Sequence, residues 1–245
     1  MKLFDLSGRT ALVTGSTRGL GLALARAVAA AGARVAINGR SREAVEAVAA
    51  SFEDAVAAPF DVTDEDAVSA AVGALGQVDV LVNNAGITLR RPLEQFSLAE
   101  WERMLAVNLT SAFLVARAVA PGMIERGSGK IVNVGSVMSE LARPTVGPYA
   151  ATKGALKLLT QSMCAEWARH GIQANGIGPG YFRTELTEPL QADGEFDAWL
   201  RARVPAGRWG EPHELAGAVV FLASAASDFV NGQMLYVDGG LLAVV

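Results

Sequence analysis

The chain is poor in several residue types, and each shortage excludes something. Among 245 residues there is one cysteine, Cys164, so no internal disulfide framework can form. That fits a reducing, cytoplasmic setting. The two histidines, His170 and His213, have no neighbouring ligands in sequence, and no metal site is expected. Charged side chains make up only 19% of the chain, and 21 basic against 25 acidic residues leave a net charge of −4. There is no block of one sign. Nucleic acids and membrane surfaces, which call for a basic protein, are therefore disfavoured as partners. No 18-residue stretch is uninterrupted apolar sequence, so no membrane span is expected. The first eight residues lack the apolar run of a signal peptide. What is abundant is apolar sequence, at 51%, which excludes a disordered chain, and glycine, with 26 residues.

Short β-rich runs alternate with alanine-rich stretches of helical period. Strands are expected at 10–14, 34–38, 57–60, 78–82, 130–134, 172–177 and 234–237. Helices are expected at 19–31, 41–51, 63–75, 98–125, 149–170 and 211–223. Gly32 is a natural stop for the first helix, and Ser41 is a possible N-cap for the second. Residues 179–210 read as irregular. The strands are nearly continuous apolar runs, as in sheets buried on both faces. The alternation predicts an α/β fold, a doubly wound parallel sheet of about seven strands with helices on both faces, in a single domain spanning 1–245. Ligands of such sheets bind beyond the carboxyl ends of the strands.

The first such end reads Thr14-Gly15-Ser16-Thr17-Arg18-Gly19-Leu20-Gly21. Glycines at this spacing, between a strand and a helix, let backbone N–H groups approach a pyrophosphate at the positive end of the helix. Gly15, Ser16, Arg18, Gly19, Leu20 and Gly21 are therefore candidate contacts of a dinucleotide. The second strand ends Asn38-Gly39-Arg40. The acid that would bond an adenosine ribose is missing there, and Arg40 supplies a permanent charge suited to a 2′-phosphate. Arg18 can approach the same group, so NADP(H) is favoured over NAD(H). Asp61 and Val62, after the third strand, are placed to touch the adenine.

Three further strand ends carry polar groups. Asn84-Ala85-Gly86 follows the fourth strand, Ser136 follows the fifth, and Tyr149 and Lys153 share one helical face. A neighbouring ammonium lowers the pKa of a phenol, which makes Tyr149 a workable general acid or base. Ser136 would then hold the reacting oxygen. Together T-G-x3-G-x-G, N-N-A-G, Ser136, Tyr149-x3-Lys153 and Pro179-Gly180 resemble the short-chain dehydrogenase/reductase family along essentially the whole chain. The resemblance implies a Rossmann-type fold and NAD(P)-dependent chemistry at a CH–OH group. It implies that Ser136, Tyr149, Lys153 and Asn108 are the catalytic set, with Tyr149 and Lys153 also touching the cofactor, Lys153 on the nicotinamide ribose, and Asn108 linking Lys153 to solvent through water. It places Asn84, Ala85, Gly86, Pro179, Gly180 and Thr184 against the cofactor, and it implies a homotetramer with helices 98–125 and 149–170 between subunits. The excursion 179–210 is the natural substrate lid.

The segment Ser136-Val137-Met138-Ser139-Glu140-Leu141-Ala142-Arg143 narrows the resemblance to the family's bacterial gluconate 5-dehydrogenase branch. That branch interconverts a polyol acid and its keto acid with NADP(H). A sugar acid needs a partner for its carboxylate. Arg90 is the first candidate, Arg143 and Arg183 the next, beside Ser136 and Tyr149 at the reacting carbon. Ser139 and Glu140 either bond sugar hydroxyls or shape their loop. The alternatives are a 3-oxoacyl-thioester reductase of the same family, or a nucleotide sensor that has lost catalysis. Cys164 reads as a packing residue.

Overall fold

The computed structural model describes residues 2–244. Its strands are β1 (Thr10–Val13), β2 (Arg34–Gly39), β3 (Ala55–Pro59), β4 (Val80–Asn83), β5 (Gly129–Val134), β6 (Ile172–Pro179) and β7 (Met234–Val237). They form one sheet in the order β3-β2-β1-β4-β5-β6-β7, every pair parallel. β1 pairs with both β2 and β4, so the winding reverses there and opens a crevice above the carboxyl ends of these strands.

The helices are α1 (Gly19–Ala30), α2 (Arg42–Ala49), α3 (Glu65–Leu75), α4 (Leu98–Leu105), α5 (Ser111–Arg126), α6 (Gly147–Trp167), α7 (Glu188–Gln191), α8 (Gly194–Arg203) and α9 (Ala216–Ala223). The two-residue period of the strands sorts the core. Ala11 and Val13 face Leu24 and Val28 of α1 and Val219 of α9. Leu12, between them, faces the other way, with Val68 of α3, Val115 of α5 and Met163 of α6. Both faces are thus covered, as the continuous apolar runs require. A third cluster, built from Val137, Leu200, Val204 and Trp209, lies over the strand ends.

Three expectations from sequence need adjustment. The stretch 98–125 is not one helix. A π turn at Ala106–Thr110, centred on Asn108, separates α4 from α5. Such a turn shifts the hydrogen-bond pattern by one residue and often marks a functional position. This stretch, Leu98–Arg126, also holds an 18-residue window that by length and composition alone is apolar enough to cross a membrane. Half of that window is buried inside the fold, and Val115, Ala116 and Met123 pack against the sheet. Second, 179–210 is not irregular but carries α7 and α8. Asp193 caps α8, its carboxylate accepting from the N–H groups of Glu195 and Phe196. Third, α6 begins two residues early because Pro148 sits in its first turn, where a missing N–H costs nothing.

Candidate active site

The crevice is a cleft of about 800 Å³ running over β1, β2, β4, β5 and β6. At its floor the glycine turn is shaped by close backbone approach. A Cβ at Gly21 would lie 2.2 Å from the Gly15 carbonyl oxygen and 2.4 Å from Asn84 Nδ2, so only glycine fits. Gly15 itself has φ +61°, a left-handed conformation. Arg18 stands at the N-cap of α1 with no side-chain cap. The first amides of α1 therefore face the cleft uncapped, a ready site for an anion.

Asn38 braces this turn rather than reaching outward. Its Oδ1 accepts from Gly15 N–H at 3.1 Å, and its Nδ2 donates to the carbonyls of Ala58 and Phe60. Ser16 is fully buried; its Oγ accepts from the Asn38 N–H at 2.9 Å and it does not line the cleft. Of the residues assigned to a cofactor from sequence, Ser16 is the one the structure turns inward. Asn84 similarly donates from Nδ2 to the Thr14 and Gly15 carbonyls. Thr14, which sequence reasoning missed, accepts at its hydroxyl from the N–H groups of Asn84 and Ala85 and so fastens the two turns together.

Arg40, Asp61 and Val62 line one end of the cleft. Burial opposes ionisation of Asp61, but the Thr63 N–H and hydroxyl, with Arg40 nearby, hold its carboxyl below the usual range. Arg18 is not free. Its Nη1 lies 2.9 Å from Glu185 Oε2, in the excursion after β6, and both side chains are largely exposed. Exposed pairs of this kind are worth about 0–1 kcal/mol and exchange readily for a better anion.

Ser136, Tyr149 and Lys153 meet at the other end, joined by Gly86, Pro179, Gly180 and Thr184. Lys153 is buried, and its Nζ donates to the Val134 carbonyl at 2.7 Å. The same nitrogen is 5.7 Å from the centre of the Tyr149 ring. Burial lowers the Lys153 pKa to about 8. Burial also raises Tyr149, against the downward pull of the nearby Ser136 hydroxyl and of the Arg90 charge. Sequence reasoning expected Lys153 to lower Tyr149. In the protein alone desolvation outweighs the favourable neighbours, and Arg90 is the cation that acts on the phenol. Asn108 lies outside the cleft wall. Its Oδ1 accepts from Ile87 N–H at 2.8 Å, while its Nδ2 donates to the Ile87 carbonyl and to Thr152 Oγ1. The side chain is committed to the loop after β4, so a link to Lys153 has to use the π-turn backbone.

The arginines separate clearly. Arg91 pairs with Glu100 at 2.9 Å, and Arg183 pairs with Glu211 at 3.1 Å. Arg90 lines the cleft at its solvent-accessible rim, beside Tyr149 and Tyr181. Burial, then repulsion from Arg143, weakens its hold on its proton. Arg143 stands behind the cleft wall, donating to Tyr181 Oη at 3.3 Å and stacking 4.7 Å from the Phe196 ring of α8. Neither Arg90 nor Arg143 has an acidic ion-pair partner among the described residues. Ser139 and Glu140 also lie outside the cleft wall.

A doubly wound parallel sheet, an uncapped glycine turn and a Ser/Tyr/Lys group at the switch point define a nucleotide-dependent oxidoreductase fold. The chain belongs to the short-chain dehydrogenase/reductase family. The family model described as enoyl-(acyl carrier protein) reductase matches residues 15–242. The chain is 55% identical to a gluconate 5-dehydrogenase of Gluconobacter oxydans, over 98% of this chain and 96% of that one. It is 52% identical to a 5-keto-D-gluconate 5-reductase of Escherichia coli, over 99% of both. A solved gluconate 5-dehydrogenase from Burkholderia cenocepacia, in complex with NADP and tartrate, superposes with a TM-score of 0.97 at 55% identity, covering 100% of this chain and 99% of that one.

Proposed function

We propose that this chain is a cytoplasmic, NADP-dependent dehydrogenase interconverting D-gluconate and 5-keto-D-gluconate. The carrying observation is the pairing, in one cleft, of the Ser136/Tyr149/Lys153 group with Arg90, a solvent-accessible guanidinium that has no acidic partner among the described residues. Two similar proteins carry this activity in their names, and a third holds NADP with a hydroxylated dicarboxylate.

The residues fit the cofactor. The uncapped start of α1 suits the pyrophosphate, and the glycines leave it room. Arg40, without an acid at the end of β2, suits the 2′-phosphate, with Arg18 able to leave Glu185 for the same anion. Lys153 would hold the nicotinamide ribose, and Ala85, Gly86, Pro179, Gly180 and Thr184 would flank the ring. When bound, NADP(H) accepts or supplies the hydride. The chain's own part is the proton. Tyr149 removes it from the substrate hydroxyl in oxidation and returns it to the carbonyl oxygen in reduction. Ser136 fixes that oxygen by a hydrogen bond. Lys153, charged below about pH 8, stands beside the Tyr149 ring, Arg90 favours the phenolate, and Asn108 serves Lys153 through the π-turn backbone. Arg90 takes the substrate carboxylate, with Arg143 supporting it from behind. The whole chain acts as one cofactor domain, and residues 179–210 cover the substrate. A homotetramer accords with Leu98, Trp101, Phe113 and Leu158, which stand exposed on α4, α5 and α6.

The test is turnover of purified protein with NADP and gluconate and with NADPH and 5-ketogluconate, set against NADPH with an oxoacyl thioester or an enoyl thioester. Activity with a thioester and none with gluconate or 5-ketogluconate would overturn the reading in favour of a carrier-linked reductase. Absence of turnover across a broad panel would favour a sensor. Arg40→Asp should lower the NADP/NAD preference by about 10- to 100-fold, the worth of one charged hydrogen-bonding pair. An unchanged preference ratio would remove Arg40 from the selector role.

A further inference from the structure

The loop that carries Ser136 is tied to the rest of the fold at one carboxylate. After Ser136 the chain makes a tight turn over Val137–Ser139. Ser139 N–H donates to the Ser136 carbonyl at 2.9 Å, and Ser139 Oγ donates to the Lys153 carbonyl at 3.0 Å. One residue on, Glu140 Oε1 accepts from Tyr236 Oη at 2.6 Å and from Lys157 Nζ. Lys157 lies one turn beyond Lys153 on α6. Tyr236 belongs to β7, where its ring lies so close over Gly178 that a Cβ there would be 2.2 Å away. Its partner in the sheet register is that same Gly178, so the phenol is held by the sheet itself. One carboxylate oxygen therefore joins the Ser136 loop, the helix of Tyr149 and Lys153, and the edge strand.

We propose that Glu140 is a positioning residue, which by binding Lys157 and Tyr236 together holds the Ser136 hydroxyl in register with Tyr149. This rests on the reading of Ser136 and Tyr149 as the reacting pair. Its side chain shapes the loop and does not contact substrate. The alternatives left open by the sequence are thereby separated, since Ser139, Glu140, Lys157 and Tyr236 all lie off the cleft wall.

The charged and titratable groups around the two ends are few. Tyr149 faces Lys153 on its own helix, Arg90 from the loop after β4 with Arg143 behind it, and Tyr181 after β6. Glu140 faces Lys157 and Tyr236, and Asp238 faces Tyr236 in turn. Lys157, then Tyr236, holds the Glu140 carboxyl below its ordinary range. It stays ionised through neutral pH, so any change it causes in a pH profile comes through Tyr149. The nearby Ser136 hydroxyl, together with the Arg90 charge, pulls Tyr149 down against its burial. A loosened Ser136 loop therefore lets the phenol pKa rise.

The experiment is the pH dependence of NADP-linked gluconate oxidation by the full chain carrying Glu140→Ala, Glu140→Gln or Tyr236→Phe. For Glu140→Ala, kcat should fall about tenfold, in keeping with the cost of small misplacement of a reacting group, while KM for gluconate stays within about twofold. Its rising limb, which reports Tyr149, should move to higher pH. Glu140→Gln keeps an oxygen acceptor for Tyr236 and should recover most of kcat with the limb near its wild-type position. Tyr236→Phe should move the limb in the same direction by less. A folded Glu140→Ala with wild-type kcat, or with reduced kcat and an unmoved limb, overturns the proposal, because a purely structural role only removes active enzyme. If Glu140→Ala fails to fold, an unmoved limb in Tyr236→Phe overturns it instead. Failure of the underlying reading looks different: Tyr149→Phe would then remain active.

Discussion

Tyr149→Phe lowers turnover of gluconate by about 10³-fold or more while NADP binds as before. The variant removes one oxygen atom and keeps the ring. Proton transfer by a positioned side chain is worth about 10²–10⁴-fold. No other group in the cleft can replace it: the Ser136 hydroxyl is much less acidic, and Lys153 already donates to the Val134 carbonyl. The variant keeps the ring, the glycine turn, Lys153 and Arg40, so a fluorescence titration with NADP should be unchanged. Steady-state kinetics and that titration together are the check. Loss of NADP binding along with activity would make Tyr149 a structural residue, and full activity would move the proton to another group.

Most of the frame was legible in the sequence because it is written in periods and glycines. Strands buried on both faces leave unbroken apolar runs, and the helices between them leave a 3.6-residue pattern, so the seven-stranded parallel sheet followed. The boundaries shifted by only a few residues, as with β3 beginning at Ala55. The interruption at Asn108 left no such trace. A π turn adds one residue per turn without changing composition, and Ala-Val-Asn-Leu-Thr reads as ordinary helix. Helix α8 did leave a signal, the Asp193 cap ahead of Gly-Glu-Phe, hidden among glycines and charges.

The site was legible as a set of residue types and much less as a set of directions. The glycine turn, Ser136, Tyr149 and Lys153 fall where strand ends converge, which the topology alone dictates. Whether a polar side chain faces the cleft or braces it depends on atoms far away in sequence. Ser16 Oγ accepts from the Asn38 N–H and so turns inward, while Asn38 Oδ1 accepts from the Gly15 N–H and braces the turn at the cleft floor. Arg90 and Arg91 are adjacent and chemically identical. Only the arrival of Glu100, whose carboxylate also closes the capping box at Ser97 of α4, takes Arg91 out of consideration. The sign of the Tyr149 shift was missed for a related reason: burial is a property of the assembled cleft.

Arg90→Leu should lower kcat/KM for gluconate by about 10- to 150-fold, mostly through KM, because hydrogen bonds to charged groups are worth about 1.5–3 kcal/mol. The guanidinium is solvent-accessible, is repelled by Arg143 and has no carboxylate partner among the described residues, an arrangement mildly unfavourable to the folded protein. A bound carboxylate relieves it. The same variant should therefore melt at an equal or higher temperature, since it removes an unneutralised charge from the cleft, and stability and function should move apart. Arg90→Lys should recover only part of the loss, because an ammonium cannot present a two-pronged donor to a carboxylate. A neutral polyol offered to wild type and variant supplies the control: its slow oxidation should be affected little, or should improve. Equal losses with gluconate and with the neutral polyol would mean that Arg90 acts through Tyr149, whose pKa it lowers, and not on the carboxylate. A fall in melting temperature together with a loss for both substrates would assign it to structure.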